Sequence, residues 1–163
     1  MTLRIRQAVA SDTEQVCSVL REAALWLESR GEPLWRDDEL RPDRLASEVA
    51  RGLYFVGEAT EVLVATVRFQ LDDPLFWPDA TPGEAAFIHR LAVRRGAAGG
   101  AASSAMMQWA VDRTQLLGRR FLRLDCEASR PRLRAVYERF GFVHHSDRTV
   151  GPYVVARYEY RCV

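Results

Sequence analysis

Cysteine is scarce and scattered in this 163-residue chain. Cys17, Cys126 and Cys162 show no CxxC spacing, so neither a disulfide framework nor a zinc site follows. Histidine is as rare. His89, His144 and His145 have no metal-ligand spacing, and no metal is expected. Lysine is absent, which removes the lysine that a P-loop needs against phosphate. No apolar run approaches about 18 residues, and the N-terminus lacks a signal-peptide core. The expectation is a cytoplasmic protein that does not engage a membrane. A net charge of +1 excludes a general nucleic-acid binder. What remains is an ordinary globular composition, 48% hydrophobic and 28% charged, at a length that supports one domain over residues 1–163.

Periodicity supplies the elements. Residues 3–7 alternate apolar and basic, as a half-buried strand does. Ser11 followed by Glu14 fits a capping box opening a helix, with Val16, Val19, Leu20, Ala23 and Leu27 as its stripe and Gly31 at its end. Pro42 starts a second helix, with Leu45 and Val49 inward. Residues 53–59 and 62–70 read as a hairpin, and residues 72–84, with three prolines and a glycine, as a long loop. A strand over 85–93 follows, with Phe87, His89, Leu91 and Val93 on one face. The next helix places Ala102, Ala105, Met106, Trp109 and Leu116 inward. A strand over 121–126, a helix from Pro131 to the glycine at 141, and strands over 142–146 and 153–161 complete the chain. The order β-α-α-β-β-β-α-β-α-β-β predicts an α/β domain with a mixed sheet.

Between the strand over 85–93 and its helix lies a loop of small residues. Backbone without bulk approaches an anion closely, and a helix N-terminus adds about half a positive charge. Small residues also serve tight strand-to-helix turns, so this loop alone leaves phosphate binding open. It comes mid-chain and lacks G-x-G-x-x-G, which excludes a Rossmann site.

The strand end HRLAV (residues 89–93), the loop-helix after it, the strand FLRLDC (121–126) and the segment PRLRAVYERFGF (131–142) together resemble the GNAT N-acetyltransferase superfamily. The resemblance spans essentially the whole chain and implies an acetyl-CoA-dependent N-acetyltransferase with splayed central parallel strands. It implies direct acetyl transfer to a primary amine, on a small molecule or a peptide N-terminus. Leu91, Ala92 and Val93 would pair with the pantetheine, and the Val93 N–H would face the thioester carbonyl. The pyrophosphate would sit at Ala98, Gly99, Gly100, Ala101, Ala102, Ser103 and Ser104. Here the loop departs from the family pattern. Its leading basic residue is Ala98, and Ala101 and Ser103 stand at its glycine positions. Arg94, Arg95 or Arg130 are the cations available to replace the missing charge. Arg130 also stands where the family commonly has an asparagine, and Ser129 is a substitute cap for the following helix.

The same resemblance makes Tyr137 the general acid for the departing thiolate. On periodicity alone it reads as a core aromatic of an amphipathic helix. His89 is the candidate base, or else a structural histidine, with Glu84 and Asp125 as alternative bases. Cys126 reads as a buried strand residue rather than a nucleophile. Trp35, Phe76 and Trp77 lie on loops, where they would form an acceptor pocket, a lid on the core or a dimer contact. A homodimer through the late strands is compatible with the resemblance. The competing reading is a GNAT-fold binding or regulatory module in which the altered loop and Arg130 have impaired catalysis.

Overall fold

Thr60 and Glu61 both take left-handed backbone, with φ of +47° and +65°. A two-residue hairpin connection requires that geometry to match strand twist. The turn joins β2 (Tyr54–Ala59) to β3 (Val62–Gln70), which pair antiparallel from Tyr54 with Arg68 to Ala59 with Val62. The computed structural model describes residues 2–97 and 100–163. Among them, β1 (Arg4–Gln7), α1 (Thr13–Ser29) and α2 (Pro42–Ala50) precede the hairpin. It is followed by β4 (Ala85–Val93), α3 (Ala101–Leu116), β5 (Phe121–Glu127), α4 (Pro131–Phe140), β6 (Val143–Val150) and β7 (Tyr153–Arg161). The predicted order holds, and the sheet runs β1-β2-β3-β4-β5-β7-β6. β4 and β5 pair in parallel, joining Ala85 with Phe121, Ala86 with Leu122 and Phe87 with Arg123.

Contacts gather into two compact units, Met1–Arg68 with Arg90–Met107, and Phe69–His89 with Gln108–Val163. In the first, α1 buries Val16, Val19 and Leu20, and α2 buries Leu45 and Val49, against Tyr54 and Val56 of β2. Each such aliphatic side chain contributes about 1.5–3 kcal/mol. Past the end of α1, Gly31 carries φ +73°, and its N–H reaches the Glu28 carbonyl while Glu32 N–H reaches Leu27.

The start of α1 differs from expectation. A 3₁₀ turn over Ala10–Asp12 precedes it, and Asp12 organises that turn instead of Ser11. The Asp12 carboxylate accepts the Val9 N–H at 2.8 Å and the Arg6 guanidinium at 2.7 and 2.9 Å. A charged acceptor bound twice by arginine outcompetes a serine hydroxyl. Those Arg6 bonds also hold the Asp12 carboxyl below its ordinary value.

In the second unit β5 pairs antiparallel with β7 from Phe121–Arg161 to Glu127–Val155. β6 pairs with β7 and runs on to Val150, past the predicted end, with its register broken between His144 and Ser146. Trp77, Ala85 and Phe87 form an aromatic core, flanked by Phe76, Ala80 and Phe121. Gly141 ends α4 at φ +126°, where an added Cβ would meet the Tyr160 ring at 3.1 Å. Two local expectations fail. Leu116 of α3 is 86% exposed, while Met107, Ala110 and Val111 are buried. An alanine-rich helix offers two faces of similar polarity, so tertiary packing chooses between them. At the start of α4, Arg130 is the N-cap, and no side chain, Ser129 included, caps the helix.

Candidate active site

β4 delivers His89 to the second unit, and the loop over 71–84 delivers Asp73. Asp73 is buried, and its Oδ2 lies 2.7 Å from His89 Nε2. Its Oδ1 accepts the Phe76 N–H at 3.2 Å, and its carbonyl accepts the Trp77 N–H at 2.8 Å. One aspartate therefore shapes the loop turn and orients the imidazole. In the neutral tautomer that donates Nε2–H to Asp73, Nδ1 carries the lone pair. On that side, Asp125 Oδ1 from β5 lies 3.7 Å away. The distance exceeds a hydrogen bond, and Oδ1 is buried without a partner. Burial lifts the Asp125 carboxyl to about 6, against the lowering pull of His89; Asp73 raises it further and Arg157 lowers it.

α4 brings Tyr137 into this unit. Its ring packs edge-on to Phe142 at 6.1 Å, with Tyr158 at 6.3 Å. Burial pushes the phenol above its ordinary value, and Cys126 and Asp125 add to the rise. It therefore holds its proton at neutral pH and can give it up only to a strongly basic atom. Burial likewise pushes the Cys126 thiol up to about 12, aided by Asp125, so it remains a neutral thiol as its sequence context suggests.

The three loop aromatics part company. The Phe76 ring stands 5.8 Å from the His89 ring. Trp77 is 3% exposed, between the guanidinium groups of Arg123 at 4.8 Å and Arg157 at 4.5 Å, with the His145 ring at 5.1 Å. Arg157 also binds the Phe76 carbonyl and Asp79, which ties the long loop to β7. Trp77 is thus a core residue of the second unit. Trp35 packs on the aliphatic core of the first. In each unit, removing an indole from water outweighs keeping it on a loop surface.

Comparison with known proteins now bears on these groups. The acetyltransferase (GNAT) family matches residues 19–142. The chain belongs to that family. This acetyltransferase is 30% identical to YesJ of Bacillus subtilis, an uncharacterized N-acetyltransferase, over 83% of this chain and 78% of YesJ. Its fold is similar to a GNAT-family acetyltransferase from Listeria monocytogenes, with a TM-score of 0.78 at 20% identity over 97% of this chain and 95% of that one. It is also similar to YncA from Salmonella typhimurium, solved with its cofactor acetyl-CoA. There the TM-score is 0.71 at 15% identity over 100% and 95% of the two chains.

The first unit of the acetyltransferase holds the residues that the family resemblance assigns to donor pairing. Leu91, Ala92 and Val93 end β4, and only Ala92 is fully buried. The strand does not keep its alternation, because Arg90 takes φ +53°. Its guanidinium reaches the Tyr54 hydroxyl at 3.1 Å and Glu48 at 3.6 Å, and Glu48 also binds Arg68 at 2.8 Å. Ala98 and Gly99 lie outside the described residues. Gly100 carries φ +95°, whereas Ala101, Ala102, Ser103 and Ser104 open α3 without positive φ. Ser104 N–H is bonded to the Gly100 carbonyl at 2.9 Å, so that amide is spent inside the helix. Helix geometry leaves the amides of Ala101, Ala102 and Ser103 without an intrahelical partner.

The cations considered as replacements are engaged elsewhere. Arg94 binds the Leu63 carbonyl, Ser18 and Gln15. Arg95 stacks on Trp26 at 3.7 Å. Arg130 pairs with Glu127 at 2.8 Å. Sequence reasoning missed Asp73 as the partner of His89. The two lie sixteen positions apart, across proline-broken loop and the start of β4, and no local pattern joins them.

Proposed function

We propose that this N-acetyltransferase moves the acetyl group of acetyl-CoA directly to a primary amine, with His89 taking the proton released by the amine and Tyr137 serving as general acid. The observation that carries this reading is the 2.7 Å Asp73–His89 bond, in the same unit as a phenol that burial keeps protonated. As the carbon–nitrogen bond forms, the nitrogen's proton passes to the base. The carbon–sulfur bond breaks, and the Tyr137 hydroxyl gives its proton to sulfur. Exchange with water resets both groups. Asp73 is a positioning residue, since it fixes the His89 tautomer without meeting substrate. By family resemblance Leu91–Val93 pair with the pantetheine and the Val93 N–H faces the thioester oxygen. A donor of that kind contributes about 3 kcal/mol to the barrier. Gly100 and the first-turn amides of Ala101, Ala102 and Ser103 would hold the pyrophosphate. Phe76, beside His89, is the aromatic of the three suited to line the acceptor site.

The competing reading of an impaired binding module rests on Arg130 and on the altered loop over 98–103, with Ala101 and Ser103 at glycine positions. The left-handed backbone falls on Gly100 instead, so neither residue is strained. The test is thiol release from acetyl-CoA over a panel of small primary amines and peptide N-termini. Wild-type protein should turn over at least one amine, and His89→Gln should lower its kcat by about 10²–10⁴ with an unchanged melting temperature. Turnover by His89→Gln at the wild-type rate would remove His89 from the reaction.

A further inference from the structure

The unpartnered oxygen of Asp125 is the least explained group among those described. Its side chain is 8% exposed, its Oδ1 has no hydrogen bond, and the atom facing it is His89 Nδ1, the ring nitrogen that Asp73 does not engage. A buried carboxylate oxygen without a partner is destabilising, and a functional role is one reason such a group persists. Both ring nitrogens of His89 face carboxylates, Asp73 across a formed bond and Asp125 across a 3.7 Å gap. A proton added at either Nδ1 or Oδ1 turns that gap into an attractive contact between donor and acceptor. A proton on Nδ1 would leave an imidazolium flanked by two carboxylates.

We infer that Asp125 is the group that first receives the acceptor amine's proton and hands it to His89 Nδ1, so that Asp73, His89 and Asp125 form a proton relay. This rests on the acetyl-transfer reading above. The balance is simple. A proton leaves the nitrogen for the Asp125 carboxylate as the carbon–nitrogen bond forms; it then moves from Oδ1 to Nδ1, restoring the carboxylate and charging the imidazole. Asp125 is the catalytic member, His89 the store, and Asp73 the positioning residue. The charged and titratable groups facing Asp125 are His89 on β4, Asp73 on the loop, Cys126 beside it on β5, Tyr137 on α4 and Arg157 on β7. Arg157 and a charged His89 favour the carboxylate; Asp73 opposes it. Burial, with Asp73 adding to it, raises the Asp125 carboxyl to about 6, which makes it a better proton acceptor than an ordinary carboxylate.

The experiment pairs kinetics with NMR on the full chain. For the amine with the highest turnover in the panel, Asp125→Asn should lower kcat/KM at least 100-fold, with the acetyl-CoA dissociation constant within twofold of wild type. The His89 Cε1–H resonance of wild type should titrate in two coupled steps, which become one in Asp125→Asn. Should the asparagine variant not fold, Asp125→Ser serves in both measurements. Turnover of a folded Asp125 variant within threefold of wild type would overturn the relay, as would an identical His89 titration in both proteins. If wild-type protein transfers acetyl to no amine, the functional reading itself fails. The NMR titration would still report whether His89 and Asp125 share a proton.

Discussion

The two units bury polar groups in opposite ways. In the first, buried Glu48 binds Arg68 at 2.8 Å with Arg90 beside it, and the fully buried Tyr54 hydroxyl meets Arg90. Burial raises the Tyr54 phenol, and the Arg90 charge opposes that rise. These groups are satisfied around an aliphatic core, and they hold one strained residue, Arg90, in left-handed backbone. The second unit holds an aromatic cluster, and there two buried polar atoms, Trp77 Nε1 and Asp125 Oδ1, have no partner, although Asp73, Arg123 and Arg157 are bonded. The Asp125 carboxyl and the Tyr137 phenol are shifted upward mainly by burial. A satisfied network specifies a backbone, whereas an unsatisfied one keeps a group ready to exchange protons. The side-chain chemistry proposed for this acetyltransferase falls where two buried polar atoms lack partners.

The contrast can be broken most forcefully at Tyr137. Tyr137→Phe should reduce kcat by about 10²-fold at neutral pH while leaving the melting temperature nearly unchanged, by thiol-release kinetics and thermal denaturation. An undiminished kcat would make the phenol one more packing group. In the first unit the signs reverse. Leu20→Ala should cost about 2–5 kcal/mol in denaturant unfolding, because Leu20 is fully buried in the α1 core.

Asp125→Asn sharpens the contrast through pH. A carboxyl whose folded value is raised to about 6 binds more protons folded than unfolded between pH about 4 and about 6. Its share of stability is present below about pH 4 and lost as pH rises through 6. The asparagine variant should therefore unfold at higher denaturant than wild type at pH 7.5, by up to about 3 kcal/mol, with the difference vanishing near pH 4. Equal gains at both values would show that burial of the charge is not what destabilises wild type. The smallest effect belongs to Gly100, at φ +95°. Gly100→Ala should cost about 1 kcal/mol and weaken acetyl-CoA binding several-fold in calorimetry.

Much of this was legible in the residues. The β-α-α-β-β-β-α-β-α-β-β order follows from periodicity with Gly31, Pro42 and Gly141 as punctuation, and α4 and β7 begin and end where the pattern says. Other features were not legible, each for a physical reason. Leu116 looked inward because an alanine-rich helix has no single apolar face. Ser11 looked like a cap because Arg6, which makes Asp12 the better acceptor, arrives from β1. Trp35 and Trp77 had a pocket, a lid and a dimer contact open to them as loop residues, and Trp77 became core while Trp35 packs partly buried on the first unit's aliphatic cluster. In the candidate site, His89 and Tyr137 were named from sequence and Asp125 only as an alternative, while Asp73 went unseen.

The sequence by itself determined the secondary structure and the family resemblance, since both depend on residue type at short spacing. Only the tertiary structure decided which acids meet His89, which loop aromatics are buried, and where left-handed backbone falls. Those outcomes depend on burial and on contacts between residues distant in the chain, and no local pattern encodes them.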